Sequence, residues 1–511
     1  MSQPFGELAA ARADLRRGLE KCGFDDDGEV LRGPVPWTHP STGIAMATID
    51  VTILDHFPFG PPRVELVDAG TPLDLTFHIQ DGALCLWDNT DPATDAPWTD
   101  PKRILERVAG WLTQTARGWP DDDDIDLERY VEGAVDPRMV LYDEMELEGL
   151  SGCVETKIDA HEMTITVLPT ARGVPPSQRH KKGTQRTRRH LAWLADLGHV
   201  ARPLTGWADT EAALGDDAVT VRRLVVQGAL DLLLLRYRRG GRTGMLVLAT
   251  TKLNGRPAVR RCEAADTSEV SRRLRSGPPS AELVDRKVAI VGCGAVGSFM
   301  ADMLFRDGLR HLDLRDPQRL RPGNVIRHLA GDTYVGLSKV VATKAHLGAT
   351  GLDVTHVDTH VTSVTDPITA INMLQTHDLV VDATADERTT SLLSWAAEQT
   401  GRTLVSVAVM RGGGVARVDR FPLRPGEQHL SPVPLRDDLR GSYRERGCGD
   451  AVSPTPPSAV VAAAELATEL SLDQLSDERR FPATILRVIR PQPDAPYDKL
   501  ATLTSNPRLA K

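Results

Sequence analysis

Hydrophobic and polar positions follow three different rhythms along the chain. Leu8, Ala11, Leu15 and Leu19 recur at spacings of three and four, which predicts an opening helix. Period-two alternation then runs through "IAMATIDVTIL" (44–54), and Arg63 to Val67 of "FPFGPPRVELV" (57–67) read as a further strand after a proline-bounded turn. From Pro101 onward, Ile104, Leu105, Val108, Trp111 and Leu112 form one apolar helical stripe. Helix, antiparallel strands, a loop holding Cys85 and a second helix predict a compact α+β domain over residues 1–135.

The pattern changes over 136–283. Strand-like runs occur at "EMTITVL" (162–168), "ALDLLLLRYR" (229–238) and "GMLVLAT" (244–250), with a predicted helix at "RTRRHLAWLADLG" (186–198). A small β-rich connecting domain without recognisable chemistry is expected. From 284 to 511 strands and helices alternate: "KVAIVGCGAVGSFMADMLFRDG" is a buried strand, a glycine turn and a helix, and "HLDLRD", "DVTHVD", "DLVVDAT" and "TLVSVAV" supply further strands. Such alternation predicts an open parallel α/β sheet with ligands at the carboxyl ends of its strands.

Composition narrows the class. A chain of 511 residues is too long for one core, and 41% hydrophobic with 26% charged residues is ordinary for a globular protein. No apolar run reaches the roughly 18 residues of a membrane span, and "MSQPFGELAAARADLRRGLEK" lacks the apolar core of a signal peptide, so a cytoplasmic protein without a membrane partner is expected. A net charge of −9 argues against nucleic acid as a partner. The acidic "DDDDID" (121–126) and basic "QRHKKGTQRTRRH" (178–190) read as solvated linkers or loops. Cys22, Cys85, Cys153, Cys262, Cys293 and Cys448 never form a C-x-x-C pair, which excludes a four-thiolate zinc site of that type and leaves each thiol an inert core residue unless its context says otherwise.

Two contexts do. Gly292, Gly294 and Gly297 make G-x-G-x-x-G between a strand and a helix, where backbone N–H groups can approach phosphate, and Asp316 follows 19 residues later at a strand end suited to a ribose hydroxyl. A nicotinamide dehydrogenase would show the same pair of features. Asn324, Arg327 and Lys339 separate the two possibilities, because this polar and cationic set serves charge developing on a phosphate rather than hydride transfer.

On these residues the chain resembles, over about 284–475, the ThiF/MoeB and ubiquitin-activating superfamily of adenylating enzymes. The resemblance implies a Rossmann-like fold, ATP and Mg²⁺ as cofactors, and a homodimer. It places the ribose carboxylate on Asp316, the conserved amide on Asn324, the arginine finger on Arg327 and the phosphate lysine on Lys339. The family's D-x-T-D corresponds to "DATADE" (382–387), with Asp382 at its head. The chain departs from the pattern at Gln318, at His328, and at Ala385, where the magnesium carboxylate would fall; Asp386, or else Asp382, then takes the metal. Cys448, in a glycine- and proline-rich loop with Arg444 and Arg446 beside it, is similar to the thioester cysteine of activating enzymes, whereas Cys293 inside the glycine turn reads as packing.

Residues 1–135 resemble the ubiquitin-conjugating (UBC) fold in its bacterial versions, through "HFPFGPPRVELV", "DGALCLW" and "PWTDPKRILERVAGWL". Cys85 maps onto the thioester-accepting cysteine. His78, Ile79 and Gln80 stand where eukaryotic-type members carry His-Pro-Asn. Together the two resemblances imply a fusion of conjugating and activating enzymes, similar to those beside CBASS antiphage systems and in bacterial ubiquitination-like operons. The implied partners are a ubiquitin-like or CD-NTase-type protein with an activatable C-terminus and an amine-bearing target. The alternative is a MoeB-like adenylyltransferase whose N-terminal domain only binds.

Overall fold

The computed structural model describes residues 3–74, 77–87, 96–120, 122, 126–159, 161, 163–173, 191–277, 280–434, 454–476 and 478–505. The chain divides into two compact units, Met1–Ser268 and Glu269–Lys511.

The first unit opens with the helix Gln3–Lys21, followed by a sheet whose strands lie side by side in the order Asp25–Asp26, Val30–His39, Gly43–Thr52, Arg63–Asp68, Ala83–Leu84 and Ile79–Gln80, all antiparallel. Val30–His39 carries Pro34 and Pro36. It tolerates them because its outer neighbour pairs only at Arg32 and Leu31, so the prolines' missing N–H groups leave no ladder bond unmade. The helix Pro101–Arg117 packs on this sheet. Asp100 caps it by accepting from the Lys102 N–H, Pro101 opens it, and Gly118 closes it in the left-handed conformation. Its buried residues Ile104, Val108, Trp111 and Leu112 are four of the five in the expected stripe; Leu105 is partly buried.

The rest of this unit is a closed seven-stranded barrel, ordered Leu191–His199, Leu232–Arg239, Arg242–Leu253, Arg256–Asp266, Asp136–Tyr142, Thr164–Ala171 and Gly152–Ile158. The run "LLLL" is explained by burial on both faces. Leu232 and Leu234 point into the barrel core with Val140, Ile165 and Val247, while Leu233, Leu235 and Tyr237 join an outer core under the helix Ala218–Gln227. The helix expected over 186–198 is instead the strand Leu191–His199, five of whose first residues are buried in succession; 186–190 lie outside the described residues. A short apolar run buried on two faces has no period by which to tell strand from helix.

In the second unit the parallel strands Val357–His360, His311–Arg315, Lys287–Val291, Leu379–Asp382 and Leu404–Met410 lie in that spatial order, and Val415–Phe421, Thr484–Val488 and Ala501–Thr504 extend the sheet antiparallel. Three of the four strands expected after the first are present in place; the one expected at 353–358 forms instead at Val357–His360, after a turn. The order reverses at Lys287–Val291, so a crevice opens at that strand's carboxyl end, where the glycine turn begins. No helix among the described residues is long and apolar enough to cross a membrane.

Candidate active site

The glycine turn divides its labour. A Cβ on Gly297 would lie 1.9 Å from the Gly292 carbonyl oxygen, and one on Gly292, whose φ is +90°, would lie 2.8 Å from the Ala383 and Thr384 backbone. These two glycines close the turn against the neighbouring strand end. Gly294, which precedes the helix Ala295–Arg306, has nothing within 4 Å of its Cβ position and leaves the approach to the helix N-terminus open.

Beside that turn Asp316 and Lys339, both singled out in the sequence, come together. Asp316 is buried at the end of His311–Arg315 and accepts from the Gln318 N–H at 2.8 Å. Gln318 in turn accepts from the Lys339 ammonium at 2.6 Å through its side chain and from the Lys339 N–H at 3.0 Å through its carbonyl. The departure at 318 therefore links Asp316 to Lys339. Lys339 opens the helix Lys339–Gly348, is 8% exposed, and has no carboxylate partner among the described residues. A buried cation without a counter-ion is poised to gain one. Asn324 accepts from the Arg321 N–H at 3.1 Å, and Arg327 donates to the Thr455 carbonyl at 3.3 Å.

His328 is buried and donates from Nε2 to the Cys293 carbonyl at 2.9 Å while Nδ1 accepts from the Ala330 N–H, so it is the neutral tautomer that fixes the glycine turn. Burial first, and then the Lys339 charge, lowers its pKa from 6.5 to about 4. A lowered histidine pKa stabilises the fold above about 6.5 and loses that contribution as pH falls toward 4, a difference of about 3 kcal/mol. His328→Gln is expected to flatten this segment of the stability curve; denaturant titrations at pH 7 and 4.5 that show the same loss in both proteins would contradict it. Cys293 is fully buried, and burial pushes its thiol up, which fits packing rather than chemistry.

Asp382 is also buried. Its carboxylate accepts from the Thr384 N–H and hydroxyl at 3.0 and 2.6 Å, from the Thr390 hydroxyl and from the Ser406 hydroxyl at 3.2 Å, so it ties three elements together. Asp386 is exposed and caps the helix Glu387–Thr400 through Oδ2, which accepts from the Thr389 N–H and hydroxyl; those bonds hold its pKa below the usual carboxylate value. Ala385 between them has φ 54°. Among the described residues no group of three or more acidic, histidine or cysteine side chains forms a metal cage. A magnesium ion that arrives with nucleotide needs only one or two carboxylates besides phosphate oxygens, which the exposed Asp386 fits. Cys448, with Arg444 and Arg446, lies outside the described residues.

The ThiF-type assignment rests on this stretch of chain. Residues 273–470 match the ThiF family. The ThiF-type domain is thus an α/β Rossmann-like adenylation domain with its glycine turn at the sheet's reversal point. The "ATP-dependent ubiquitin transferase-like protein Cap2" of Enterobacter hormaechei subsp. hoffmannii (strain UCI 50) is 25% identical over 233 residues, covering 44% of this chain and 38% of that protein. The "Adenylyltransferase and sulfurtransferase MOCS3" of Bos taurus is 30% identical over 167 residues, covering 32% and 36%. Among solved structures, E. coli MccB with ATP overlaps at a TM-score of 0.34 and 15% identity, covering 44% of this chain and 65% of that one. The chain spans about a third of the length of the curated relatives it matches.

The other candidate centre lies in the first unit. Ile79–Gln80 and Ala83–Leu84 form a two-residue hairpin through Asp81 and Gly82, both at positive φ, as an Asp-Gly turn of the primed type requires. The next rung of the ladder pairs His78 with Cys85: the Cys85 N–H donates to the His78 carbonyl at 2.8 Å. His78 itself is left-handed, with φ 59°, and its N–H donates to the Tyr130 hydroxyl at 3.0 Å instead of returning to Cys85. The Trp111 indole also donates to the His78 carbonyl, at 3.0 Å. The His78 ring lies tilted by 42° against Trp119 with ring centres 4.0 Å apart, and its Nε2 meets the Asp122 carboxylate at 2.7 Å. Half-buried Cys85 borders a groove of about 730 Å³, lined also by His78, Trp87, Arg103, Arg107 and Trp111. The indole N–H groups of Trp87 and Trp119, whose side chains line this groove, are buried without a hydrogen-bond partner among the described residues.

Asp122, Tyr130 and Trp119 did not stand out in the sequence. Asp122 sits inside the acidic run read as solvated, yet its side chain is only 9% exposed. Asp-Gly within "HIQDGALC" is the signal that places His78 opposite Cys85.

Proposed function

We propose that the chain activates the C-terminus of a protein with ATP and conjugates it through two cysteines. The observation that carries this is the convergence at the glycine turn: an open approach at Gly294, a buried Asp316, and a buried Lys339 without a carboxylate partner among the described residues.

In this scheme the ATP phosphates lie at Gly294 and the helix N-terminus, Asp316 accepts from the ribose, and Asn324, Arg327 and Lys339 meet the charge that grows on the α-phosphate when a C-terminal carboxylate attacks it. Asp386 would hold a magnesium ion that arrives with the nucleotide, and that ion would supply positive charge to the pyrophosphate; Asp382, its oxygens committed to four donors, shapes the loop between them. The products are an acyl-adenylate and pyrophosphate. Cys448 then displaces AMP to form a thioester, Cys85 takes the acyl group by thioester exchange, and an amine receives it as an amide, returning the thiol. The first 135 residues are UBC-like in this account. The groove beside Cys85 supports that role, since it leaves room for an acyl chain next to the half-buried thiol, with His78 on its border where His-Pro-Asn is missing.

Pyrophosphate exchange into ATP tests the first step. Exchange is expected with a ubiquitin-like protein bearing a free C-terminal carboxylate and not with the same protein amidated there. Equal exchange with both, or none with any such protein, would overturn the proposal.

A further inference from the structure

The barrel reaches the loop that carries Cys85. Phe77, adjacent to His78, is 2% exposed and belongs to the barrel's outer core with Tyr237, Leu235 and Leu127 rather than to the core of the antiparallel sheet. Arg239, the last residue of the barrel strand Leu232–Arg239, lies with its guanidinium 3.3 Å from the centre of the Phe77 ring. The same guanidinium pairs with Asp122, which also meets His78 Nε2. Side chains of Arg239, Asp122 and His78 are 6%, 9% and 16% exposed. Tyr130, which receives the His78 N–H, also packs edge-on against Phe77 with ring centres 5.7 Å apart.

We propose that the barrel is a positioning arm of the Cys85 site: Arg239 holds Phe77 from one side and, through Asp122, holds the His78 ring from the other, and the held His78 carbonyl fixes the Cys85 backbone. The significance of the loop rests on Cys85 being the acyl acceptor; the positioning itself does not. A left-handed non-glycine residue such as His78 persists only where its surroundings over-determine it. Here four contacts do so: the Tyr130 hydroxyl, the Trp111 indole, the Trp119 ring and the Asp122 carboxylate. All four come from the sheet's own helix or the linker that follows it. Arg239 makes the carboxylate and the neighbouring Phe77 depend on the barrel. Arg239 is a positioning residue, since it acts on Cys85 through His78.

Two readouts on the full chain test this without any acyl donor. One is amide exchange across residues 77–87, followed by mass spectrometry. The other is the rate at which iodoacetamide alkylates Cys85, read on its own peptide so that the other cysteines do not interfere. Arg239→Ala and Asp122→Asn are expected to raise both about tenfold while strands on the far side of the barrel exchange as before. Arg239→Lys, which keeps the charge beside Asp122 and Phe77, recovers at least half of the effect. Arg202→Ala, which removes an exposed pair with Asp74, changes neither. Unchanged exchange and alkylation in both Arg239→Ala and Asp122→Asn would overturn the inference. So would a rise spread evenly over the whole barrel, which would make Arg239 a support of the barrel alone. Acyl transfer to Cys85 is expected to fall roughly 10- to 100-fold in Arg239→Ala with pyrophosphate exchange intact, the order of loss that an ångström of misplacement causes. If wild-type Cys85 never accepts an acyl group, the conjugation proposal fails while the exchange and alkylation results still decide the role of the barrel.

Discussion

Cys85→Ala is expected to abolish amide formation while leaving ATP–pyrophosphate exchange within twofold of wild type. In the proposed scheme the two reactions separate, because adenylation would use only residues of the Glu269–Lys511 unit, whereas Cys85 sits on the rung beyond an Asp-Gly hairpin in the other. The substitution removes one half-buried sulfur and leaves the Cys85 N–H to His78 bond in place, so stability is expected to change by less than about 1 kcal/mol. Product formation is checked by denaturing gel and by mass spectrometry of the target lysine. Amide formation that survives Cys85→Ala would reduce the N-terminal domain to a binding module and leave a MoeB-like adenylyltransferase.

Lys339→Met has the opposite signature: pyrophosphate exchange falls by about 10²- to 10³-fold, the order expected when one preorganised charge donor is lost from a transition state. Stability is expected to hold or rise. Lys339 is 8% exposed and its ammonium has one acceptor among the described residues, the Gln318 amide oxygen, so methionine replaces a poorly compensated buried charge with an apolar chain of similar length. A residue kept at the expense of stability is a mark of function. Exchange kinetics with saturating ATP, paired with a melting curve, check both halves. A variant that loses stability and exchange together would identify Lys339 as a structural residue.

Much of this was legible in the sequence where chemistry and periodicity coincide. The buried strand, glycine turn and helix at Lys287–Arg306, the later parallel strands, and the stripe on Pro101–Arg117 all have a spacing that a single face or a double burial imposes. The barrel was legible only as strand-rich. Leu191–His199 lacks alternation because both its faces are covered, and its neighbours in the barrel, Gly152–Ile158 and Leu232–Arg239, are distant in sequence. The site around Cys85 was half legible. Cysteine, glycine and leucines mark the segment, but the Asp122 carboxylate is one of four consecutive aspartates, and nothing local says which one turns inward. That choice is made by Arg239, 117 residues away. His328, a departure from the expected pattern, acquires its meaning only from the Cys293 carbonyl that it holds.

The most direct test of the central claim is intact-protein mass spectrometry after incubation with Mg-ATP and a ubiquitin-like protein that supports pyrophosphate exchange, in wild type, Cys448→Ala and Cys85→Ala. The account predicts a thiol-labile adduct that is absent in Cys448→Ala, resides on Cys448 in Cys85→Ala, and is found on Cys85 in wild type. An adduct on Cys85 that forms without Cys448, or a wild-type adduct that never reaches Cys85, would contradict it.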